Sequence, residues 1–494
     1  MQLPFGEWLP DQPDHLNPGA TVATNVYHAQ SSYKPVKGLV AYSGASNVTQ
    51  NAKGAGSFRD NTNTVFTFVG TKDNIYKLTS GTFASVKGSC TVSGGDTDFF
   101  TFTQFGQFVV ASNGVNPPMY YEMGTSTNFA TLQSLASASG SGTVPAKFKV
   151  SGVIRDFLVT GNIENAKNRV AWSGINDIST WEAGVSSSDT QDLPGSGGQV
   201  VAITSGEVGY VFREDQIIRM DFVGGNVVFR FSVISPNRGA VYGQTVCQDN
   251  RQVFFYSSDG FFQINGDQIL PIGAEKVNRF FDGDLNKAYT DRITAAVDPF
   301  NTLAIWLYPS KDNPNTTGVC DKLLIYNYVT QKWSVAKVKA SQIFKQFVVA
   351  NTVELMDIIS ENLDDINISL DTAFWTTGHL YLGAIDENFK AAIFSGKTLE
   401  AELETKEQEL FPGLRANVTG IRPIVDASAN VTIKTRDKLA DTVTTSASSS
   451  MNDTGINPVR QSGRYFRANV KIPAESIWTN AQGIDLTASQ GGSR

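Results

Sequence analysis

The chain has few cysteines, and they form no recognisable framework. Its 494 residues include only Cys90, Cys247 and Cys320. An odd number of widely separated cysteines without a CxxC pair predicts neither a set of disulfides nor a zinc site. We expect all three thiols to be reduced and buried.

Histidine is equally scarce, which removes most catalytic chemistry. His15, His28 and His379 are the only histidines, and none lies at ligand spacing from another. No GxSxG elbow precedes His379, as a Ser/His/Asp hydrolase would need. Residues 395–398 end like a phosphate-binding loop, but Ala391 stands where its first glycine belongs, so a hairpin turn is the simpler interpretation. These absences predict a protein that is not an enzyme and holds no metal and no cofactor.

The chain has no excess of basic residues, and it has no long apolar run. The formal net charge of −7 argues against a protein that grips nucleic acid by neutralising phosphates, and is compatible with one that lets DNA slide past. No window reaches the roughly 20 apolar residues of a membrane helix. The first ten residues lack the basic and apolar regions of a secretion signal. We therefore expect no membrane-spanning segment and a protein that crosses no membrane on its own.

Aromatic residues and glycine are abundant, at 11% of the chain and 44 residues. Apolar runs at residues 65–68 and 75–78 flank a turn, and the same arrangement recurs at 253–256 and 261–264. Short runs rich in β-branched and aromatic residues, split by Asp, Asn or Gly, are typical of hairpins. Their recurrence predicts an all-β protein with a closed ring of small sheets, a β-propeller.

The chain divides into three predicted parts. Residues 1–40 carry five prolines and are predicted as an extended N-terminal arm that lies across a neighbour or across its own body. Residues 41–396 are predicted as a β-propeller-like body of six to eight blades, with seven preferred, and a helical insertion near 353–366. Residues 397–494 open with a strictly alternating strand and predict a smaller C-terminal domain of β-sandwich type. The seven predicted blades contain the segments 65–78, 99–111, 157–181, 209–233, 253–264, 303–335 and 377–394.

One segment of the third predicted blade resembles the Asp-box of sialidase-like propellers, in which Ser, Asp and Trp side chains fix a turn. The spacing of Ser173, Asp177 and Trp181 departs from that box by at least one residue, and the segment occurs once. Because such a box is structural, it supports the fold more than any activity. A Ser/Gly-rich stretch at 134–145 is predicted as a surface loop.

Two charge clusters are candidate sites. Between residues 354 and 409, thirteen acidic residues face three lysines, a net charge of −10. One interpretation is a solvated surface, and the other is a channel wall that repels phosphates so that DNA passes without sticking. A basic run near the C-terminus is either plain surface or a contact with an acidic neighbouring subunit. The acidic candidates are Glu354, Asp357, Glu361, Asp364, Asp365, Glu400, Glu402 and Glu404, and the basic candidates are Arg460, Arg464, Arg467 and Lys471.

Both ends of the chain resemble tail proteins of tailed bacteriophages and prophages. Segments 170–176, 369–371 and 394–396 add to the resemblance, which covers essentially the full length and is closest to the tail nozzle or hub proteins of short-tailed phages, of the packaged-DNA stabilisation or tail tubular type. The opening motif is Phe5-Gly6-Glu7-Trp8-Leu9-Pro10-Asp11 with residues 17–20 and 33–35, and the closing motif is Arg460-Gln461-Ser462-Gly463-Arg464-Tyr465-Phe466-Arg467 with residues 472–474 and 478–485.

That resemblance implies a structural virion protein. Its family forms a sixfold ring, a homohexamer, below the portal and adaptor rings of the phage tail. The ring continues the DNA channel without binding DNA specifically, helps to retain the packaged genome, and anchors fibres or spikes. The implied location is the virion, after assembly in the host cytoplasm. The resemblance assigns no role to an individual residue.

Two other classes of function stay open. One is a receptor-binding tail propeller that recognises a host surface glycan and assembles as a trimer. The other is a glycan-cleaving enzyme, which the single Asp-box-like segment and the scarcity of histidine disfavour.

Overall fold

The computed structural model describes residues 1–15, 17–41, 48–79, 81–225, 227–313, 318–347 and 380–492. Of the described residues, 51% are in strands and 5% in helices, so this part of the chain is mostly β-structure. No helix in these ranges has the length and apolar character that a membrane span requires. The helical insertion predicted near 353–366 lies outside the described residues.

Five short strands open the chain, and five four-stranded antiparallel sheets follow them, each built from neighbouring segments. The opening strands are β1 (Gln2–Pro4), β2 (Val22–Thr24), β3 (Val26–Ala29), β4 (Ser32–Pro35) and β5 (Val40–Ala41). The five sheets are β6 (Gly54–Arg59), β7 (Val65–Gly70), β8 (Ile75–Thr79) and β9 (Thr82–Ser85); β10 (Thr101–Phe105), β11 (Phe108–Ser112), β12 (Met119–Glu122) and β13 (Ala130–Thr131); β14 (Phe148–Ile154), β15 (Phe157–Ile163), β16 (Ala166–Trp172) and β17 (Asp189–Asp192); β18 (Val200–Ile203), β19 (Val208–Arg213), β20 (Ile217–Phe222) and β21 (Phe229–Ser235); and β22 (Cys247–Asp249), β23 (Gln252–Ser257), β24 (Gly260–Asn265) and β25 (Gln268–Pro271).

Two further sheets share one long strand. They contain β26 (Thr294–Asp298), β27 (Leu303–Tyr308), β28 (Cys320–Asn327), β29 (Lys332–Phe347), β30 (Leu380–Asp386) and β31 (Ala391–Ile393). The first half of β29 pairs with β28 as the outer strand of the sixth sheet, and its second half pairs with β30 as the inner strand of the seventh. The seventh sheet is completed by β5, since Val40 pairs with Ile393 and Ala41 with Ala392.

The seven sheets close into a ring. The inner strands β6, β10, β14 and β18 contact one another in chain order, and a 3₁₀ helix at Gly243–Thr245 contacts both β18 and β26. β22 contacts β26, which contacts β29, and β29 returns to β6. The strands in the middle of the blades are buried on both faces. β15 and β27, for example, are buried at every position, as expected for sheets that are covered on both sides. The prediction of a propeller is confirmed, and seven blades are present in the described part of the chain.

Helices are short and few in the described ranges. They are α1 (Leu132–Ser139), α2 (Asn278–Asp284) and a second 3₁₀ helix at Lys287–Arg292. The Ser/Gly-rich stretch predicted as a loop from residue 134 therefore begins inside α1. Leu132 and Ala136, four residues apart on one helix face, are buried there, and this packing overrides the loop-like composition.

The C-terminal strands form the predicted β-sandwich. They are β32 (Ala401–Glu404), β33 (Gln408–Glu409), β34 (Ala416–Val425), β35 (Asn430–Arg436), β36 (Thr444–Thr445), β37 (Ser449–Ser450), β38 (Asn457–Gly463), β39 (Tyr465–Ile472) and β40 (Ala481–Gln490). One layer has the order β3-β4-β40-β34-β38 with β1 on β40, and the other has the order β2-β32-β39-β35. Val431 and Val470 of one layer pack with Val418 and Ile484 of the other in a single core.

The N-terminal segment lies across the chain's own body. β1 pairs with β40, β2 lies between β29 and β32, and β5 completes the seventh blade. Phe5, Trp8 and Tyr33 are buried in the core that the sandwich shares with blades five and six, and this apolar burial holds the segment down. The segment predicted as an arm therefore supplies strands to both parts of the protein.

Candidate functional site

The propeller axis holds a cavity of about 660 Å³, lined by the inner strands of all seven blades. Its walls combine apolar side chains with uncharged polar ones. Thr103 and Ser151, on neighbouring blades, share a hydrogen bond of 2.9 Å across the wall. Lys345 is the one charged residue among those lining it in the described chain, and burial lowers the pKa of its ammonium. We call this space the axial cavity.

Two smaller cavities adjoin the axial cavity at the end where the inner strands begin. One, of about 300 Å³, is lined by residues of blades two to six, and we call it the mouth pocket. The other, of about 440 Å³, lies between blades one, six and seven. Phe99 and Gln244 line all three cavities, so these two side chains stand at the junction of the three spaces. The volumes of all three cavities fall in the range of about 300 to 1,000 Å³ that is typical of small-molecule sites.

Most charges around the mouth are already paired. Lys53 lies 3.9 Å from Asp291, and Lys72 lies 3.2 Å from Asp96. Burial lowers the pKa of Lys53, and the carboxylate of Asp291 opposes that shift. The ammonium of Lys149 differs, because it lies over the ring of Phe99, with 4.5 Å from Nζ to the ring centroid.

The predicted acidic wall does not form one surface in the described chain. Glu354, Asp357, Glu361, Asp364 and Asp365 lie outside the described residues. The other three are on or beside β32 in the sandwich, away from the axial cavity. Glu400 is exposed, Glu402 is partly exposed, and Glu404 is buried. Glu404 was expected to be part of an acidic channel or surface wall. The structure corrects this expectation, because the Glu404 side chain is only 1% exposed.

Glu404 is buried because cations surround it. Lys434 lies 2.5 Å from its carboxylate and Arg467 lies 3.6 Å away, and Thr21 and Asn469 donate hydrogen bonds of 3.0 and 3.1 Å. A second acidic residue, Glu407, binds Arg436 and lies 3.8 Å from Arg467. We call this group the sandwich ion cluster.

The four residues of the predicted basic subunit contact do not share one environment, because one of them belongs to the sandwich ion cluster. Arg467 is buried, and its charge faces Glu404, Glu407 and Asp14 within the chain. Lys471 is exposed and lies 3.9 Å from Glu402, its partner across β32 and β39. Arg460 is exposed and Arg464 is partly exposed. The acidic and basic clusters, which are far apart in the sequence, therefore meet in one sheet. The charge of Arg467 is used in contacts inside the subunit.

The thiols and imidazoles have structural positions. Cys90, Cys247 and Cys320 are free and buried, as predicted, and burial raises the pKa of the Cys247 thiol to about 12. No group of three potential metal ligands occurs in the described residues. His28 is buried, with Nε2 3.0 Å from the ammonium of Lys332. Burial, with a smaller contribution from Lys332, lowers the pKa of His28 to about 4.

His28 should make stability depend on pH. In the unfolded chain it takes up a proton below about pH 6.5, whereas in the folded chain it does so only near pH 4. The unfolded state therefore holds more protons between these values, and the free energy of unfolding should rise with pH across that window. Urea unfolding from pH 4 to 7 should show a smaller rise for His28→Gln than for the wild type. Lys332→Met should keep most of the rise, because burial is the larger cause, and an unchanged profile for His28→Gln would contradict the assignment.

The Asp-box-like turn is a packing feature of blade three. The carboxylate of Asp177 accepts hydrogen bonds from the hydroxyls of Ser179 and Thr180, both at 2.6 Å. Burial alone would raise the pKa of Asp177, but these bonds hold it below the usual range. Trp181 donates to the carbonyl of Ile178 at 2.8 Å. Since the side chains of Asp177, Ser179, Thr180 and Trp181 all hold the turn, the segment supports the fold, as the sequence suggested.

The mouth residues were not anticipated from the sequence. Phe99, Lys149 and Gln244 belong to three different blades and are about 50 and 95 residues apart. No local motif joins them. The blade repeat is the one feature of the sequence that could have indicated these residues, because each of the three lies in or just before an inner strand.

These features define a class: a seven-bladed β-propeller fused to a β-sandwich, with small cavities on and beside the propeller axis. No protein-family model matches the chain, and no curated protein matches it. Among solved structures, the extracellular domain of BT4673 from B. thetaiotaomicron has a TM-score of 0.39 at 9% identity, over 82% of this chain and 44% of that one. This chain thus spans less than half the length of that protein.

Two further solved structures are similar over most of their own length. The Pan2 WD40 domain of Neurospora crassa has a TM-score of 0.37 at 8% identity, over 75% of this chain and 97% of that one. BBS1N, in a complex with ARL6DN, has a TM-score of 0.40 at 10% identity, over 76% of this chain and 99% of that one. Similarities at this level carry no argument about function, and the details of the propeller rest on the sheet topology described above.

Proposed function

We propose that the chain is a tail nozzle subunit of a short-tailed bacteriophage. Six copies would form a ring below the portal and adaptor rings, continue the DNA channel, help to retain the packaged genome and anchor fibres or spikes. The protein would work in the virion after assembly in the host cytoplasm.

The observation that carries this proposal is where the two phage-like ends lie. The amide of Phe5 donates to the carbonyl of Gln482 at 3.0 Å, and the hydroxyl of Tyr33 donates to the carbonyl of Gly6 at 2.9 Å. Trp8 and Trp478 belong to one buried core. Segments more than 450 residues apart therefore form one folded unit. Matches that assemble into a unit support a shared architecture better than matches scattered over a surface would.

The dimensions of the propeller bear on where DNA would run. The axial cavity, at about 660 Å³, has the size of a small-molecule pocket. Duplex DNA would therefore pass through the lumen of the assembled ring and not along the propeller axis. The net charge of −7 supports passage without adhesion, because phosphates are repelled by a surface with an excess of acids.

The oligomeric state tests this proposal. Mass photometry and negative-stain imaging of the purified chain should give a sixfold ring with about six times the 53.5 kDa of one subunit, alone or with the adaptor ring added. Particles assembled without the protein should lose DNA and lack a complete tail. A chain that stays monomeric under both conditions, together with particles that keep their DNA and tail, would contradict the proposal.

A second candidate is a receptor-binding tail propeller, and the mouth pocket is the observation that favours it. That candidate requires binding to cells or surface polysaccharide by the isolated protein, and trimeric assembly. Release of reducing ends from polysaccharide would instead point to the glycan-cleaving enzyme, for which the described chain offers no specific feature beyond the Asp-box-like turn.

A further inference from the structure

The mouth pocket presents a cation that no acid neutralises directly. Lys149 lies on β14, where its carbonyl accepts hydrogen bonds from the hydroxyls of Thr101 at 3.1 Å and Ser112 at 3.3 Å. Its ammonium lies over the Phe99 ring and has no hydrogen bond or ion pair within the described residues. Gly114, in the left-handed region at φ +74°, leaves room for the lysine stem, since a Cβ there would be 3.0 Å from the Lys149 Cβ.

The acids in the walls are occupied elsewhere. A carboxylate oxygen of Asp98 accepts the amide of Gly95 at 2.7 Å and closes its own turn, while Asp291 faces Lys53. Burial lowers the pKa of Lys149, and the charge of Asp98 offsets this shift only partly. A half-buried ammonium in this position favours an anion brought in by a ligand.

The neutral polar groups of the pocket divide into two sets. The amide of Asn113 donates to Asn116, that of Asn162 to Gln199, and that of Gln199 to Glu214, so these side chains serve the wall itself. In contrast, the Gln244 amide and the Thr290 hydroxyl, which also line the pocket, make no side-chain hydrogen bond within the described residues. The rings of Phe99 and Tyr242 add two apolar surfaces beside these groups.

We propose that the mouth pocket binds a sugar-acid unit, a single carbohydrate ring that carries one carboxylate. The carboxylate pairs with Lys149, the ring hydroxyls meet Gln244 and Thr290, and the C–H face of the ring packs on Phe99. A volume of about 300 Å³ suits one such unit. The proposal does not depend on the nozzle function, since it concerns one subunit.

The charge of the walls favours a carboxylate over a phosphate. Two lysines, Lys149 and Lys167, and two aspartates, Asp98 and Asp291, line the pocket. A monoanion is satisfied by the half-buried ammonium of Lys149, because Lys167 is exposed. A phosphate group carries a charge of about −1.5 to −2 at neutral pH, and the two aspartates would oppose its second charge.

Calorimetry and ligand-observed NMR on the full chain test the proposal with glucuronate, glucose and inorganic phosphate as probes. Glucuronate should bind saturably at one site per chain, and glucose and phosphate should each bind at least about tenfold more weakly, a difference of about 1.4 kcal/mol. Lys149→Met should weaken glucuronate binding by about tenfold or more and leave glucose binding unchanged. Lys149→Arg should retain most of the affinity.

Lys311→Met is the matched control, because Lys311 is exposed and lies away from all three cavities. It should bind glucuronate like the wild type. Lys149→Met should also fold, since it replaces a half-buried charge with an apolar side chain, and its melting temperature should be no lower than that of the wild type. Phosphate binding as tight as glucuronate binding overturns the ligand class. Glucuronate binding that survives Lys149→Met overturns the site, and no saturable binding at about 10 mM, well above a 1 mM Kd, overturns both.

Discussion

Glu404→Ala should lower the free energy of unfolding by about 3–5 kcal/mol. Removing one member of a buried ion pair leaves its partners charged and unpaired, and this costs about that much. Here the partners are Lys434 and Arg467, and the Arg467 side chain is only 10% exposed. The variant also removes one of the two acceptors of the Thr21 hydroxyl and one of the two acceptors of the Asn469 amide. Urea unfolding monitored by circular dichroism measures the change.

Glu402→Ala is the control for that experiment. It lies two residues away on β32, and its contact with Lys471 is 3.9 Å long and partly exposed to solvent. It also accepts a hydrogen bond of 2.8 Å from the Asn469 amide, which keeps Glu404 as an acceptor in this variant. The exposed ion pair contributes about 0–1 kcal/mol and the hydrogen bond about 0.5–1.5 kcal/mol, so the loss should be smaller than for Glu404→Ala. Glu404→Gln should fall between the two, because it keeps the shape of the side chain and loses the charge. Equal effects for Glu402→Ala and Glu404→Ala would refute the assigned role of the sandwich ion cluster.

Trp333→Ala should lower the free energy of unfolding as much as Glu404→Ala does, by about 3–5 kcal/mol, because it removes a large buried side chain. Trp333 is fully buried at the start of β29 and packs against Trp306, Tyr326 and Phe261. Its indole N–H donates to the carbonyl of Ile272 at 2.8 Å. It therefore fastens the fifth blade to the sixth, and the variant should lower the urea midpoint sharply.

Two variants separate packing from hydrogen bonding at this position. Trp333→Phe keeps an aromatic ring but leaves the Ile272 carbonyl without its donor, which should cost about 1–3 kcal/mol. Phe300→Ala removes an aromatic ring that is 69% exposed and should stay within about 0.5 kcal/mol of the wild type. A large effect for Phe300→Ala, or a negligible one for Trp333→Ala, would be inconsistent with the packing described.

The blades were predictable because their pairing is local. The turn at residues 70–74 joins β7 to β8, and the turn at 258–260 joins β23 to β24, so each hairpin is visible in a short window. The sandwich was predictable only in its C-terminal strands. β1 is three residues long and pairs with residues 483–485, and no short-range pattern reveals such a partner.

Charge was harder to interpret than hydrophobicity. The alternation at the start of the predicted C-terminal domain correctly indicated a strand, β32, on which Glu402 and Glu404 share one face. Whether that face meets water or cations depends on β35 and β39, which supply Lys434 and Arg467 from 30 and 63 residues away. The sequence of one strand cannot reveal the charge of the strand beside it. The mouth pocket was even harder to predict from the sequence, because its residues come from blades that meet only when the ring closes.

The closure of the seventh blade by β5, and of the sandwich by β1, also sets an order of events during synthesis. Both strands leave the ribosome early, yet their partners are residues 392–393 and 483–485. At about 5–20 residues per second, the opening strands wait for tens of seconds before they can pair. Over that time Phe5 and Trp8 are exposed apolar groups on a nascent chain, beside blades that can already fold. Chaperone dependence and losses to aggregation should therefore concentrate in the interval before the last strand is made.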